Sequence, residues 1–131
     1  MSDPSFPKEQ QVILEGLLDK RGEWNKAWKS RYFVLESSGK LSYFQSESEK
    51  STPSKAKGSI PINTGMTVKE GAPSDGRSVI EIVVPGSGLT PKRTFIIGCE
   101  SPDVYAQWLD NLTKLQKRVH YVTFQDNVRH W

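Results

Sequence analysis

The residues of this chain best equipped for chemistry are three cations at the tips of two strand-like segments: Lys20 and, after eight intervening residues, Lys29-Ser30-Arg31. An ammonium group supplies mobile positive charge, whereas a guanidinium can hold two phosphate oxygens in a planar fork. Together they read as a receptor for a multiply charged anion, with Lys20 and Lys29 neutralising and Arg31 orienting. The elements that must position them run from Glu15 to Gly22 and from Ala27 to Leu35, joined by a short turn. Side chains alternate between the faces of a strand, so Lys20 shares a face with Leu18, and Lys29 and Arg31 share one with Phe33 and Leu35. Each row is apolar along most of its length and cationic at its tip, which describes a core face opening into a positively charged mouth. Taken singly, each cation reads better as a solvated strand end that protects a sheet edge; three at matched strand ends favour the anion site.

The whole chain has 131 residues and a formal net charge of +3, enough for one compact domain with its own core and only mildly basic. That balance does not by itself select nucleic acid over anionic lipid, and placement has to decide. Lys20, Arg21, Lys26, Lys29 and Arg31 concentrate in the first hairpin, while acidic residues dilute the rest. No apolar run approaches the roughly 18 residues that span a bilayer. The first residues carry neither a secretory signal pattern nor a second-position glycine for myristoylation, and the single cysteine, Cys99, fits a reducing compartment, so the expected location is cytoplasmic.

Pattern counting gives about seven strands and then one helix. Val12 to Lys20, Trp28 to Leu35 and Lys40 to Gln45 form a meander; Gly58 to Ile62, Met66 to Glu70, Val79 to Val84 and Thr94 to Gly98 follow. Glu47 to Lys57, rich in Ser, Lys, Glu and Pro, reads as a mobile loop, and Gly71 to Gly76 as another loop. The helix is marked by Ser101 as cap, Pro102 at its first position and Asp103 beside its positive end. Val104, Trp108, Leu112, Leu115 and Val119, with Tyr105 and Leu109 alongside, make one apolar stripe at helical spacing that should cap the sheet. Lys114, Lys117 and Arg118 read as partners of the negative helix end. Residues 1–11 are expected to be a tail, 12–119 the domain, and 120–131 an extension that is either packed or disordered.

A meander, further strands and a C-terminal amphipathic helix bearing a tryptophan resemble the pleckstrin-homology (PH) domain. The hallmark segments are Glu15-Gly16-Leu17-Leu18-Asp19-Lys20, Trp28 to Leu35, Gly58-Ser59-Ile60-Pro61-Ile62, and Trp108. The resemblance implies a mainly β fold with one helix, a seven-stranded sandwich or barrel capped by a C-terminal α-helix. It also implies that Lys20, Lys29 and Arg31 grip the phosphates of an inositol head group, as in phosphoinositide-binding members. Lys20 to Trp28, Pro61-Ile62-Asn63 and Arg93-Thr94-Phe95 are similar to segments of the protein kinase B type, which would bring Asn63 and Arg93 to the ligand. Leu41 to Phe44 and Lys57-Gly58 resemble the cytohesin type, which would bring Tyr43 and Lys57. Both likenesses imply 3-phosphorylated lipids, the 3,4,5-trisphosphate or the 3,4-bisphosphate, as partners in an anionic membrane. Arg21 and Lys26 are expected to touch either phosphate or membrane, and Trp24 either reaches the lipid interface or folds back on the sheet. Trp28 and Trp108 are expected to pack.

Other functions have less in their favour. There is no Gly-x-Ser-x-Gly elbow, no phosphate-binding Gly-x-x-x-x-Gly-Lys loop and no His-Glu-x-x-His pair, so no catalysis is expected. Neither His120 nor His130 has metal-ligand spacing with Cys99, and no metal or cofactor is assigned. A protein-interaction adaptor of the same fold, binding a peptide or small GTPase through a sheet edge or the helix, is the alternative. Nucleic-acid binding is disfavoured by the modest charge.

Overall fold

The structure, a computed structural model, describes residues 11–22 and 26–129, with side chains as far as Lys117. Seven antiparallel strands follow one another along the chain: β1 (Val12–Arg21), β2 (Lys29–Glu36), β3 (Lys40–Phe44), β4 (Gly58–Pro61), β5 (Thr67–Ser74), β6 (Arg77–Val84) and β7 (Arg93–Cys99). The helix α1 (Pro102–Arg129) ends the described chain. The strands lie in the order β4-β3-β2-β1-β7-β6-β5, so β1 joins a first half of the sheet to a second. It pairs with β2 from Val12 to Lys20 but with β7 only through Asp19, Lys20 and Arg21.

One core draws on both halves. Leu18, Phe33, Leu35, Leu41 and Ile60 come from the first four strands, Ile80, Ile82, Phe95 and Ile97 from the last, and Trp108, Leu112 and Leu115 from α1. A single sheet can turn both its ends onto the same cluster only by curling, and α1 closes the resulting opening with the stripe its spacing foretold. Its start is capped as expected: the Val104 amide donates to Ser101 Oγ at 3.5 Å and the Tyr105 amide to the Ser101 carbonyl at 3.0 Å. Tyr105 Oη then donates to Glu70 Oε1 at 2.8 Å, tying the helix to β5.

Three expectations need correction. The segment from Gly71 to Gly76 is not all loop, because β5 continues to Ser74 and only Asp75-Gly76 turns. Both turn residues have positive φ, 51° and 75°, the geometry that matches a two-residue hairpin to the twist of its strands. Pro73 is tolerated because β5 is an edge strand, where one row of amides needs no partner. Second, the connection from Glu47 to Lys57 is built rather than loose. It holds two 3₁₀ turns, Glu47–Glu49 and Pro53–Lys55, and seats Ala56 on an outer apolar cluster of Tyr32, Val34 and Phe44. Third, the backbone stays helical to Arg129, so Lys114 is no helix-end residue; it pairs with Asp110 at 3.1 Å on the exposed face. The side chains of Arg118 and Val119 lie outside the described residues.

An ion pair anchors the β3–β4 connection. Glu15 Oε1 accepts from Lys50 Nζ and from Tyr32 Oη, both at 2.6 Å, and the Lys50 ammonium stands 5.4 Å from the centre of the Tyr32 ring. The hydrogen bond from Lys50, then that from Tyr32, holds the Glu15 carboxyl below its ordinary value of 4.5. Since the folded state binds that proton more weakly than the unfolded chain, Glu15 stabilises the fold above pH 4.5 and loses its contribution as pH falls through the lower folded value. Glu15→Gln should therefore melt below the native chain at neutral pH, with the gap closing in acid. A melting series from about pH 7 to 3 tests this; a gap that stays constant contradicts it.

Candidate anion-binding site

Where β1 ends and β2 begins, the sheet opens into a cleft of about 500 Å³ lined by Lys20, Gly22, Ala27, Lys29, Arg31, Tyr43 and Lys57. Lys20 lies directly across from Lys29, and Leu18 across from Arg31, so the three cations occupy one face as strand alternation requires. Like charges opposed across a ladder repel. Among the described residues no carboxylate pairs with Lys20, Lys29, Arg31 or Lys57; the ion pairs fall on Lys50, Lys69, Arg77 and Lys114. Burial, and then the charges of Arg31, Arg93 and Lys29, push the half-buried Lys20 ammonium below its ordinary value of 10.5. The cleft is thus a positive cavity with phenolic and guanidinium donors and no counter-charge among the described residues, able to take a compact polyanion.

Tyr43 forms the floor. Its ring lies 5.1 Å beneath the Lys20 ammonium and 5.4 Å from the ring of Phe33, which in turn meets Trp108 edge-on at 6.3 Å. Gly58, opposite Tyr43 on β4, leaves room for the phenol, because a Cβ there would overlap the Tyr43 hydroxyl and the ring would have to shift. The Lys57 amide donates to the Tyr43 carbonyl at 2.8 Å, setting the Lys57 side chain at the cleft wall. One Arg31 guanidinium nitrogen donates to the neighbouring Ser30 carbonyl at 2.8 Å, which steadies the fork and leaves other donors available.

Of the residues singled out from sequence, Lys20, Lys29, Arg31, Tyr43 and Lys57 come together here. Arg93, the first residue of β7, stands near enough to Lys20 to depress its proton affinity, and packs its guanidinium 4.6 Å from the Phe95 ring centre. Arg21 does not join them. It follows Lys20 on the strand and so faces the other way, donating to Ser74 Oγ at 3.2 Å and stacking 4.8 Å from the Trp28 ring. Asn63 is likewise elsewhere: Lys40 opposite Pro61 marks the far end of the β3–β4 pair, and Asn63 lies beyond it beside Ser38 and Gly39. There its Oδ1 accepts from the Gly65 amide at 2.7 Å. Lys26 is exposed in the β1–β2 connection, and Trp24 lies outside the described residues.

Sequence reading left one cluster unassembled. Trp28 is held between Arg21 and Arg77, whose guanidiniums lie 4.8 and 5.1 Å from its ring centre, and its Nε1 donates to Asp75 Oδ2 at 3.1 Å. Arg77 also pairs with Asp19 at 2.7 Å. Arg21 is seven residues from Trp28, but Asp75 and Arg77 are more than forty from Trp28 and Asp19, so only the β1–β7–β6 register unites the cluster.

The PH domain family model matches residues 12–117, and the chain belongs to that family. Among curated relatives it is similar to the RAC family serine/threonine-protein kinase homolog of Dictyostelium discoideum, 32% identical over 98 residues covering 75% of this chain and 20% of the relative. It is similar also to the human RAC-beta serine/threonine-protein kinase, 29% identical over 123 residues, covering 94% of this chain and 20% of that one. The chain thus spans about a fifth of these kinases' length. Among solved structures, the C-terminal PH domain of pleckstrin in complex with D-myo-Ins(1,2,3,5,6)P5 superposes with a TM-score of 0.63 at 20% identity, covering 81% of this chain and 96% of that one. The Slm1-PH domain in complex with inositol-4-phosphate gives 0.64 at 20% identity, covering 84% and 98%. At such identity these two likenesses concern the fold.

Proposed function

We propose that this chain is a non-catalytic recruitment module whose cleft grips the head group of a 3-phosphorylated phosphoinositide, the 3,4,5-trisphosphate or the 3,4-bisphosphate. The observation that carries the reading is the convergence of Lys20, Lys29, Arg31 and Lys57 on one cavity with no described carboxylate paired to any of them. A cluster of like charges, half-buried at Lys20 and Arg31 and without a described counter-charge, repels itself until an anion fills it, and phosphate oxygens match both the fork of Arg31 and the point charges of the lysines. The inositol phosphates held by the pleckstrin and Slm1 domains support a ligand of this class. The preference for a 3-phosphate is supported by similarity to the RAC kinases, the protein kinase B type. The flanking cations Lys26, Lys92 and Arg93 add about 1 kcal/mol each near an anionic leaflet, fading within roughly 8 Å at physiological salt, so they attract while the cleft discriminates. The consequence is a cytoplasmic protein drawn to the plasma membrane when such lipids appear.

Calorimetry with soluble head groups tests the reading. Inositol 1,3,4,5-tetrakisphosphate and 1,3,4-trisphosphate are expected to bind about tenfold or more tightly than the 1,4,5-trisphosphate, a gap of about 1.4 kcal/mol. An equal or reversed ranking removes the 3-phosphate preference. Absence of binding by all three removes the lipid reading and leaves the adaptor, which has Leu17, 63% exposed on β1, in its favour.

A further inference from the structure

The most exposed large apolar residue described is Leu89, with its side chain fully open to solvent, and it sits at the tip of the β6–β7 connection. That connection hangs from the same end of the sheet as the cleft. Ile96 of β7 lies opposite Arg21, the last residue of β1, and β7 begins three residues further on at Arg93, about 10 Å beyond that level in the direction of the β1–β2 turn. The coupling of Arg93 to Lys20 agrees with this placement.

The connection is also built. Ser87 and Thr90 exchange both amide-to-carbonyl bonds at 2.9 Å, and Gly88 opens the turn between them at φ 57°. The stem is tight enough that a Cβ on Gly86 would lie 2.7 Å from the Thr90 carbonyl oxygen. Residues 85–91 carry no charge, whereas Lys92 and Arg93 follow at the base. An uncharged, preformed finger with an apolar tip and two cations at its root matches the layering of a bilayer surface, acyl chains beneath phosphates. Because the finger is already ordered, burying its tip forfeits little chain entropy.

Resting on the head-group reading above, we propose that the β6–β7 finger inserts Leu89 into the boundary between head groups and acyl chains while the cleft holds its phosphates, making membrane attachment a two-point contact. The committed occupant is an anionic bilayer, because the tip shares its end of the molecule with the cations of the cleft, to which no described carboxylate is paired. Insertion is independent of the soluble ligand, so the two contacts separate experimentally.

Leu89→Ser should bind vesicles of phosphatidylcholine, phosphatidylserine and phosphatidylinositol 3,4,5-trisphosphate on the order of tenfold more weakly, as loss of one buried leucine implies. Its affinity for soluble inositol 1,3,4,5-tetrakisphosphate should be unchanged, and Leu89→Trp should restore vesicle binding. In a second measurement, Leu89→Cys carrying nitrobenzoxadiazole should shift its emission to the blue on those vesicles. Cys99 will not compete for the label at neutral pH, since it is buried and its thiol is pushed up to about 11. Unchanged vesicle binding by Leu89→Ser, or an equal loss toward the soluble head group, overturns insertion. If the native chain binds no soluble head group, the cleft reading fails separately. The emission shift on phosphatidylserine vesicles then decides: a shift sustains insertion and none overturns it.

Discussion

Arg31→Ala should reduce binding to vesicles bearing phosphatidylinositol 3,4,5-trisphosphate by about 100-fold or more while leaving the melting temperature unchanged or slightly raised. A charge-assisted hydrogen bond to an anion contributes about 1.5–3 kcal/mol, and a guanidinium fork makes two, so the loss corresponds to at least two decades of affinity. Stability should not follow, because Arg31 makes no described ion pair in the free chain and contributes to the repulsion that depresses Lys20. Lys29→Ala should behave alike with a smaller loss, since it removes one point charge and relieves the direct opposition to Lys20. Co-sedimentation and a thermal melt on the same samples check both. A melting temperature lowered by many degrees would make these cations structural and would dismantle the receptor.

Trp108→Ala carries the largest expected cost in stability, about 3–5 kcal/mol, as for other buried large aromatics cut to alanine. The side chain is 2% exposed, meets Phe33 edge-on and lies one and two turns from Leu112 and Leu115 in the stripe by which α1 closes the curled sheet. Folded domains hold only about 5–15 kcal/mol in total, so the variant should unfold at markedly lower urea. Trp108→Phe should recover most of the loss. A drop under about 1 kcal/mol would mean that the helix is held by something other than this stripe. Because Phe33 stacks on Tyr43, and Tyr43 floors the cleft under Lys20, the folded fraction of Trp108→Ala should also bind the soluble head group somewhat less tightly.

What could be read from sequence and what could not divide along the distance between interacting residues. Lys20, Lys29 and Arg31 were legible because a hairpin is local: alternation along two consecutive strands fixes which faces the cations share. The same alternation should have sent Arg21 away from Lys20, and the structure confirms that it does, with Trp28 and Ser74 as its partners. Asn63 was placed by motif similarity, whereas the β3–β4 register puts it at the opposite end of the sheet from Gly58 and Tyr43. The helix was legible because its cap and its stripe are both properties of contiguous residues. The built character of the Glu47–Lys57 connection was not, since it depends on Glu15, thirty-five residues before Lys50. The Arg21–Trp28–Arg77 stack is illegible for the same reason, needing β1, β7 and β6 in register at once.

On β1 and β2 the residues that hold the fold and those that line the cleft are two apart on the same face: Leu18 before Lys20, Phe33 after Arg31. Lys20 touches the core at the Tyr43 ring, whereas no described ring contact or ion pair ties Lys29 or Arg31 to it, so exchange of those two for other side chains leaves the interior largely as it was. The charge presented at the strand tips is therefore free to drift by substitution, and a lineage can remodel the mouth of the cleft without rebuilding the scaffold that presents it.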